Sequence, residues 1–179
     1  RKKLGVEDKI VFGHVGRFSQ EKNHKFLIDL FYEIQKRMDE AILVLVGRGH
    51  LEKEIKEQVI VRGIENKVVF LGVRKDVPDL MNLFDAFIFP SLFEGFGIVG
   101  IEAQAAGLPC FFSEGIVKEA IVTKNVHVYP LELEASMWAE NILKELEEFR
   151  RVDQCKAIQN AGFDIRHTSQ ELEKFYLAV

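Results

Sequence analysis

Cysteine, proline and long apolar stretches are scarce in this sequence. Its 179 residues include two cysteines, four prolines and one tryptophan. Neither Cys110 nor Cys155 has a metal-type spacing around it, so we interpret both as buried thiols in a reducing compartment. No apolar stretch approaches the roughly 20 residues that a membrane helix needs, and the first residues do not resemble a signal peptide. These features predict a cytoplasmic protein.

A strong excess of charge is also missing. The formal net charge is −4, which argues against general nucleic-acid binding. The charge is unevenly spread, because residues 1–37 contain nine Lys or Arg and five Asp or Glu, whereas residues 131–150 contain six Glu and two basic residues. We interpret these segments as two solvated faces.

What the sequence does contain is an alternation of short apolar stretches and longer amphipathic ones. The apolar stretches predict strands at 9–15, 41–47, 67–72, 86–91, 108–112 and, as a sixth candidate, 126–131. The amphipathic stretches predict helices at 23–37, 50–61, 97–106, 135–149, 153–161 and 168–177, with a short one after Asp76 as its N-cap. Continuous apolar strands separated by helices indicate a parallel sheet covered on both faces. The predicted fold class is therefore α/β, a single Rossmann-like doubly wound domain.

Basic residues follow the first predicted strand, at the edge where such sheets bind ligands. Arg17 and Lys22 come between this strand and the next helix, whose first amides favour anions. A lysine near a helix start is also commonly just solvated, and Lys22 taken alone leaves that alternative open.

Two carboxylates frame a glycine-containing turn after the fourth predicted strand. Gly95 and Gly97 follow Glu94, and they allow a sharp turn whose backbone N–H groups form a cradle for phosphate. Glu102 lies about one and a half turns into the next helix. It either faces solvent or accepts hydrogen bonds from neutral hydroxyls, as an acidic residue does with ribose. A nucleotide-diphosphate sugar would satisfy all these groups together.

At these residues the chain resembles the nucleotide-binding C-terminal half of the retaining glycosyltransferases of family 4, which have the GT-B fold. The matching pieces span roughly residues 10–145 in the family's order, and Glu94 with Glu102 matches its E-x7-E motif. The pieces are "GHVGRFSQEKNHKFLI", "AILVLVGRG", "KVVFLGVRKDVPDLM", "DAFIFPSLFEGFGIVGIEAQAAGLPC", "KEAI" and "WAENIL". Within them, the stretches "EAQAAGLPC" and "WAENIL" are also similar to bacterial exopolysaccharide and capsule enzymes.

The resemblance implies a donor site for a nucleotide-diphosphate sugar, with UDP expected from the family's usage. Arg17 and Lys22 match the basic pair on the diphosphate, Glu94 matches the carboxylate that holds the sugar hydroxyls, and Glu102 would take the ribose. Arg17, Lys22 and Glu94 would be the catalytic residues. The backbone of six further positions would complete the donor site, and the one at Arg74 would line the base: Gly16, Arg74, Gly95, Phe96, Gly97 and Ile98.

The resemblance also implies how the reaction proceeds. Many transferases hold a metal with an Asp-x-Asp pair, and no such pair occurs in the sequence. We therefore expect no metal cofactor, and metal-independent transfer with retention at the anomeric carbon. Glu94 would orient the donor rather than act as the nucleophile.

A second domain is implied as well. Residues 1–179 would be the C-terminal donor-binding domain, inactive alone, and an N-terminal acceptor domain would be absent from this chain. The expected partners are the nucleotide sugar and a glycan or lipid-linked acceptor reached through that domain, with no nucleic acid. The full-length protein would meet the inner face of the cell membrane.

Some residues depart from the family pattern. His50 is unexpected after the second loop glycine, and residues 113–131 lack the usual glycine-rich loop, which leaves contacts around Glu119 open. Phe175, Tyr176 and Leu177 fit either a severed contact with the absent domain or a packed terminal helix.

Two other functions stay open on the sequence alone. A sugar-nucleotide 2-epimerase-like enzyme would epimerise its substrate without an acceptor. A non-catalytic Rossmann-like interaction module would bind no nucleotide.

Overall fold

Six strands form one all-parallel sheet in the computed structural model, which describes residues 1–178. They are β1 (Ile10–Val15), β2 (Ala41–Val46), β3 (Val68–Gly72), β4 (Ala86–Phe89), β5 (Cys110–Ser113) and β6 (Val126–Tyr129). Their order in the sheet is β3-β2-β1-β4-β5-β6. The Rossmann-like doubly wound α/β class is confirmed, including the sixth strand. Because the strand order reverses between β1 and β4, the switch point lies at the centre of the sheet.

Helices connect the strands and cover both faces of the sheet. Within residues 1–178 they are α1 (His24–Gln35), α2 (Glu52–Val61), α3 (Val77–Leu83), α4 (Ile98–Ala105), α5 (Ala135–Glu148), α6 (Cys155–Asn160) and α7 (Ile165–Leu177). Short 3-10 turns occur at Lys2–Leu4, Gln20–Lys22, Glu65–Lys67 and Lys118–Ala120. Parallel strands need such crossovers, which is why the helices alternate with the strands.

The core consists of two layers, one on each face of the sheet. On one face, α1, α2 and α5 pack against strand residues such as Phe12, Leu43 and Phe111. On the other face, α3, α4 and α6 pack against Val44, Phe112 and their neighbours. Successive strand residues point to opposite faces, so strands that are apolar throughout supply both layers. The phenylalanines fill much of this space: Phe12, Phe18, Phe31, Phe84, Phe87, Phe89, Phe111 and Phe112 are fully buried.

One local prediction holds only in part and another is wrong. Asp76 is the N-cap residue of α3 as predicted, but its carboxylate makes no capping bond. It binds the guanidinium of Arg74 instead, through contacts of 2.8 and 2.6 Å. Cys155 is exposed, whereas Cys110 is buried as expected, because the start of α6 lies at the surface.

The last helix lies largely outside the core. All residues of α7 are exposed, including Phe175 at 63%, Tyr176 at 70% and Leu177 at 80%. The alternative of a packed terminal helix is therefore wrong. Among the helices of residues 1–178, none combines the length and the apolar character required to cross a membrane.

Candidate functional site at the switch point

Two loops meet where β1 and β4 end side by side. Residues 16–23 follow β1 and residues 90–97 follow β4. The N–H of Leu92 donates to the carbonyl of Glu21 at 2.8 Å, so the two loops are tied together. The site therefore lies at the position where open parallel sheets bind their ligands.

Lys22 and Glu94 form an ion pair across these loops. Their side chains are only 16% and 10% exposed, and the Lys22 ammonium also lies 5.2 Å from the centroid of the Phe89 ring. Ser91 donates its hydroxyl to the same carboxylate oxygen, Oε1 of Glu94, at 2.8 Å. Within residues 1–178, Oε2 of Glu94 accepts no hydrogen bond. One oxygen is thus held in place and the other is left available to a ligand.

The start of α4 lies beside this pair. Gly97 is its N-cap residue and has a φ of 71°, in the left-handed region that favours glycine. A Cβ on Gly97 would lie 3.1 Å from the Phe89 ring, so a side chain would be crowded as well as strained. The first turn of α4 contains no acidic residue, and the amides of Ile98 and Val99 donate to no acceptor in the described chain. This helix end therefore attracts an anion.

The other predicted residues of the β4 loop lie at the surface. Gly95, Phe96 and Ile98 are exposed, and open space surrounds Gly95. Glu102 is exposed on α4. Neighbouring atoms shield its carboxyl from part of the solvent, and this desolvation raises the pKa of the carboxyl. No hydrogen bond holds the Glu102 carboxylate within residues 1–178. Its acceptor oxygens are thus open to a ligand's hydroxyls.

Backbone hydrogen bonds join the loops after β1, β2 and β3 into one rim. The Gly16 N–H donates to Val46 at 2.9 Å and the Gly47 N–H donates to Gly72 at 2.8 Å. Arg17 is exposed on this rim. Arg74 is exposed two residues after β3, and its guanidinium binds Asp76 rather than a residue of the Lys22–Glu94 pair. The structure therefore brings Lys22 and Glu94 into contact, and it places Arg74 at the outer strand of the sheet.

Two buried histidines under the β1 loop were missed from the sequence. His14 donates from Nδ1 to the carbonyl of Ile88 at 2.8 Å, because a carbonyl can only accept. His24 packs edge-on against His14 at 4.7 Å between ring centroids and stacks on Phe18 at 4.2 Å. Nε2 of His14 and both ring nitrogens of His24 are buried without a partner. The only sign of this pair in the sequence was His14, a polar residue inside the apolar first strand.

Burial keeps both histidines neutral. Burial, helped by the nearby Lys22 ammonium and opposed by the bond to Ile88, lowers the pKa of His14 to about 4. Burial, with smaller contributions from His14 and Lys22, lowers the pKa of His24 to about 2. The cationic character of the site is therefore supplied by Lys22 and Arg17 and not by these imidazoles.

Metal-ligating side chains do not cluster in the described part of the chain. Residues 1–178 contain no group of three or more His, Cys, Asp or Glu side chains placed to hold a metal ion.

Known proteins are similar to this chain in sequence and in fold. The glycosyltransferase EpsF of Bacillus subtilis is 39% identical over 142 residues, which is 76% of this chain and 36% of EpsF. An Escherichia coli protein named UDP-Gal:alpha-D-GlcNAc-diphosphoundecaprenol alpha-1,3-galactosyltransferase is 32% identical over 62% of this chain and 30% of its own length. The crystal structure of Anabaena Alr3699/HepE with UDP-glucose superimposes on the whole chain with a TM-score of 0.84 and 27% identity.

The chain is shorter than these relatives. It spans 51% of the HepE chain and about a third of the two curated proteins. The family model of the group 1 glycosyl transferases matches residues 1–162. This chain therefore belongs to the group 1 glycosyl transferases.

Proposed function

We propose that this chain is the C-terminal donor-binding domain of a retaining family 4 glycosyltransferase. It binds a nucleotide-diphosphate sugar, with UDP as the nucleotide, for metal-independent transfer to a glycan or lipid-linked acceptor. The observation that carries this proposal is the contact of Lys22 with Glu94 beside the free start of α4, at the switch point of the sheet.

The cationic side of the site suits the leaving group. Breaking the bond between sugar and phosphate leaves negative charge on the nucleotide diphosphate, and catalysis must stabilise that charge as it grows. Lys22, Arg17 and the first amides of α4 supply this stabilisation. At ~4 Å and an effective dielectric constant of ~20, each cation contributes on the order of 4 kcal/mol before desolvation. Two cations and the helix end are adequate in scale without a metal ion.

The carboxylates suit the hydroxyl-rich parts of the donor. Lys22 and Ser91 fix one oxygen of Glu94, and its Oε2 can accept hydrogen bonds from sugar hydroxyls. Glu94 thus orients the donor and is not the nucleophile. Glu102 takes the ribose hydroxyls, and the backbone at Arg74 lines the base.

The relatives support the choice of ligands. HepE has been crystallised with UDP and with UDP-glucose, and the name of the E. coli relative contains a UDP-sugar donor and a lipid-linked diphosphate acceptor. We infer a UDP-sugar donor here and a similar acceptor, reached through an N-terminal acceptor domain. Exopolysaccharide or capsule synthesis at the inner face of the cell membrane fits such an acceptor.

Calorimetric titration of the chain with UDP, GDP and ADP in the presence of EDTA tests the proposal. Of the three nucleotides, we expect only UDP to bind. We expect Arg17→Ala and Glu102→Ala each to weaken UDP binding by roughly tenfold, because each removes a charge-assisted contact. Arg166→Ala and Glu140→Ala, exposed positions on α7 and α5, are the matched controls. Absence of nucleotide binding at millimolar concentration, here and in the full-length protein, would favour the interaction module instead.

A further inference from the structure

Phe89, the last residue of β4, presents the face of its ring to the Lys22 ammonium, which lies 5.2 Å from the ring centroid. The ring is fully buried, and the Lys22 side chain is only 16% exposed. The face of an aromatic ring carries partial negative charge and attracts a cation, most strongly where water is excluded. This contact therefore stabilises a lysine that lies inside the candidate donor site.

A second lysine of the chain offers a comparison for this contact. Lys56 lies over the ring of Phe70 at the same distance of 5.2 Å, but the Lys56 side chain is 48% exposed and pairs with Glu52. Solvent screens the charge of such a lysine, so the ring attracts it less. Burial, and not distance, makes the contact of Lys22 with Phe89 the stronger of the two.

The Lys22 ammonium has few other neighbours that could hold it. It carries three N–H donors, and within residues 1–178 it donates to one acceptor, Oε1 of Glu94. The Phe89 ring lies against a second side of the ammonium, and the donors that remain are available to a ligand. Glu94 and Phe89 together thus order a side chain that is otherwise long and flexible.

The edge of the same ring contacts the start of α4. A Cβ on Gly97 would lie 3.1 Å from Cε1 of Phe89, and a Cβ on Gly100 would lie 3.5 Å from its Cδ1. The two glycines therefore allow the first turn of α4 to pack directly on the ring. Phe89 thus contacts both groups that the proposed function assigns to the diphosphate, the Lys22 cation and the helix end.

We propose that Phe89 is a positioning residue, whose ring holds the Lys22 ammonium where the diphosphate of the donor binds. The inference rests on the proposed function for the identity of that ligand. Ordering a lysine side chain upon binding lowers affinity, and a ring that orders it beforehand removes this loss. A leucine or valine would also fill the core at the end of β4, but neither would present a negative face to the ammonium.

Fluorinated phenylalanines at position 89, incorporated by amber suppression into the 179-residue chain, test this inference. Each fluorine withdraws electron density from the ring face and changes the ring volume little, so the attraction for a cation falls stepwise. We expect the affinity for UDP, measured by calorimetry, to fall at each step from 4-fluoro- to 3,4,5-trifluorophenylalanine and to reach roughly a tenfold loss.

The same series at Phe112 is the matched control. The Phe112 ring is also fully buried and also packs on Gly100, but no cation of the described chain lies over it. We expect no trend there. An equal trend at both positions would mean that the fluorines disturb α4, and it would overturn the inference. UDP affinity that stays constant or rises across the Phe89 series would also overturn it, because the ring would then be irrelevant to the ligand or compete with it for the ammonium.

A ligand-free measurement separates this inference from the proposed function. In the free chain, the ring current of Phe89 should shift the NMR signals of the Lys22 Hε protons upfield, and Phe89→Leu should abolish the shift. The amide spectrum checks the folding of this variant. Unshifted Lys22 signals in the wild type would overturn the inference, whatever the chain binds. Shifted signals without any UDP binding would instead contradict the proposed function, and with it the role of Phe89 toward a diphosphate.

Discussion

A single hydroxyl helps Lys22 to orient the carboxylate proposed to hold the donor sugar. Ser91 is buried and donates to Oε1 of Glu94 at 2.8 Å. Ser91→Ala removes this bond, and hydrogen bonds to charged groups contribute about 1.5–3 kcal/mol. We therefore expect binding of UDP-glucose, used as a probe, to weaken roughly tenfold, whereas UDP, which has no sugar, binds as before. Calorimetry with the two ligands measures the difference.

Ser136→Ala provides the matched control for this variant. Its hydroxyl also lies near a carboxylate, Glu134 at 3.3 Å, but on α5, away from the site. An equal loss of affinity for UDP and UDP-glucose in Ser91→Ala would show that Ser91 supports the loop as a whole and not the sugar contact.

The two buried histidines make stability depend on pH. In the unfolded chain their pKa values return to about 6.5, whereas burial holds the folded value of His14 at about 4 and that of His24 at about 2. Below pH 6.5 the unfolded chain binds protons that the folded chain does not. The free energy of unfolding should therefore fall by up to about 1.4 kcal/mol per pH unit for each histidine as the pH drops toward 4.

Urea unfolding at pH 7 and pH 5 measures this effect, with the His14→Phe/His24→Phe double variant for comparison. Carboxylates contribute to acid unfolding in both proteins, so the difference between the two slopes isolates the histidines. His167→Gln, an exposed substitution on α7, is the control. Parallel slopes for the wild type and the double variant would mean that the histidines are accessible to protons in the folded state.

The sequence predicts which side chains lie at the strand ends of the candidate site, but it does not predict which of them contact each other. Arg17, Lys22 and Glu94 follow strands, and the sequence therefore predicts them at one edge of the sheet. The ion pair of Lys22 with Glu94 depends on β1 and β4 being neighbours, which is decided by the packing of the whole sheet. The burial of His14 and His24 depends in the same way on contacts that are distant in sequence.

At the scale of elements, α4 holds the segment after β5 through one side chain. Gln104 is buried, and its Oε1 accepts hydrogen bonds from the amides of Val122 and Thr123 at 2.8 and 2.9 Å. Its Nε2 donates to the carbonyls of Gly100 and Ala120 at 3.0 and 2.7 Å. This side chain ties the exposed turn around Glu119 to the helix that begins at the site.

Gln104→Leu should destabilise the fold markedly. It leaves the part-buried amide of Val122 and the buried amide of Thr123 without an acceptor, and a buried group left in this way costs about 1–3 kcal/mol. We expect a loss of about 2–4 kcal/mol in urea unfolding, together with faster hydrogen exchange at these two amides. Gln159→Leu on the exposed face of α6 is the control, and a loss no larger than that of this control would contradict the role of Gln104.

The elements themselves were predicted well where the pattern is periodic and poorly where local partners decide. All six strands and the helices after them follow from apolar periodicity. The start of α7 was placed three residues late, because Asp164 caps the helix by accepting from Arg166 at 2.9 Å. Asp76 illustrates the opposite case, since Arg74 captures the carboxylate that capping would require.

At the scale of the whole molecule, the proposed chemistry needs no metal. The full-length protein should therefore keep its proposed transferase activity after treatment with EDTA, because Arg17, Lys22 and the start of α4 are proposed to stabilise the leaving diphosphate. Product formation from a UDP-sugar with and without EDTA, followed by addition of Mn²⁺ or Mg²⁺, measures this. Activity that disappears with EDTA and returns only with the metal would contradict metal-independent transfer.

Under the proposed function, the described chain would carry one wall of the reaction site and could not complete the reaction alone. Lys22 and Ser91 hold Glu94, and Glu102 is exposed on α4, while the exposed apolar residues of α7, such as Phe175, leave a surface that the described fold does not cover. We expect the 179-residue chain to bind UDP at least roughly tenfold more weakly than the full-length protein, because the second wall would exclude water and add contacts. We also expect it to transfer no sugar. Calorimetry and product analysis on both proteins test this, and sustained transfer by the isolated chain would show that a single Rossmann-like domain suffices for catalysis.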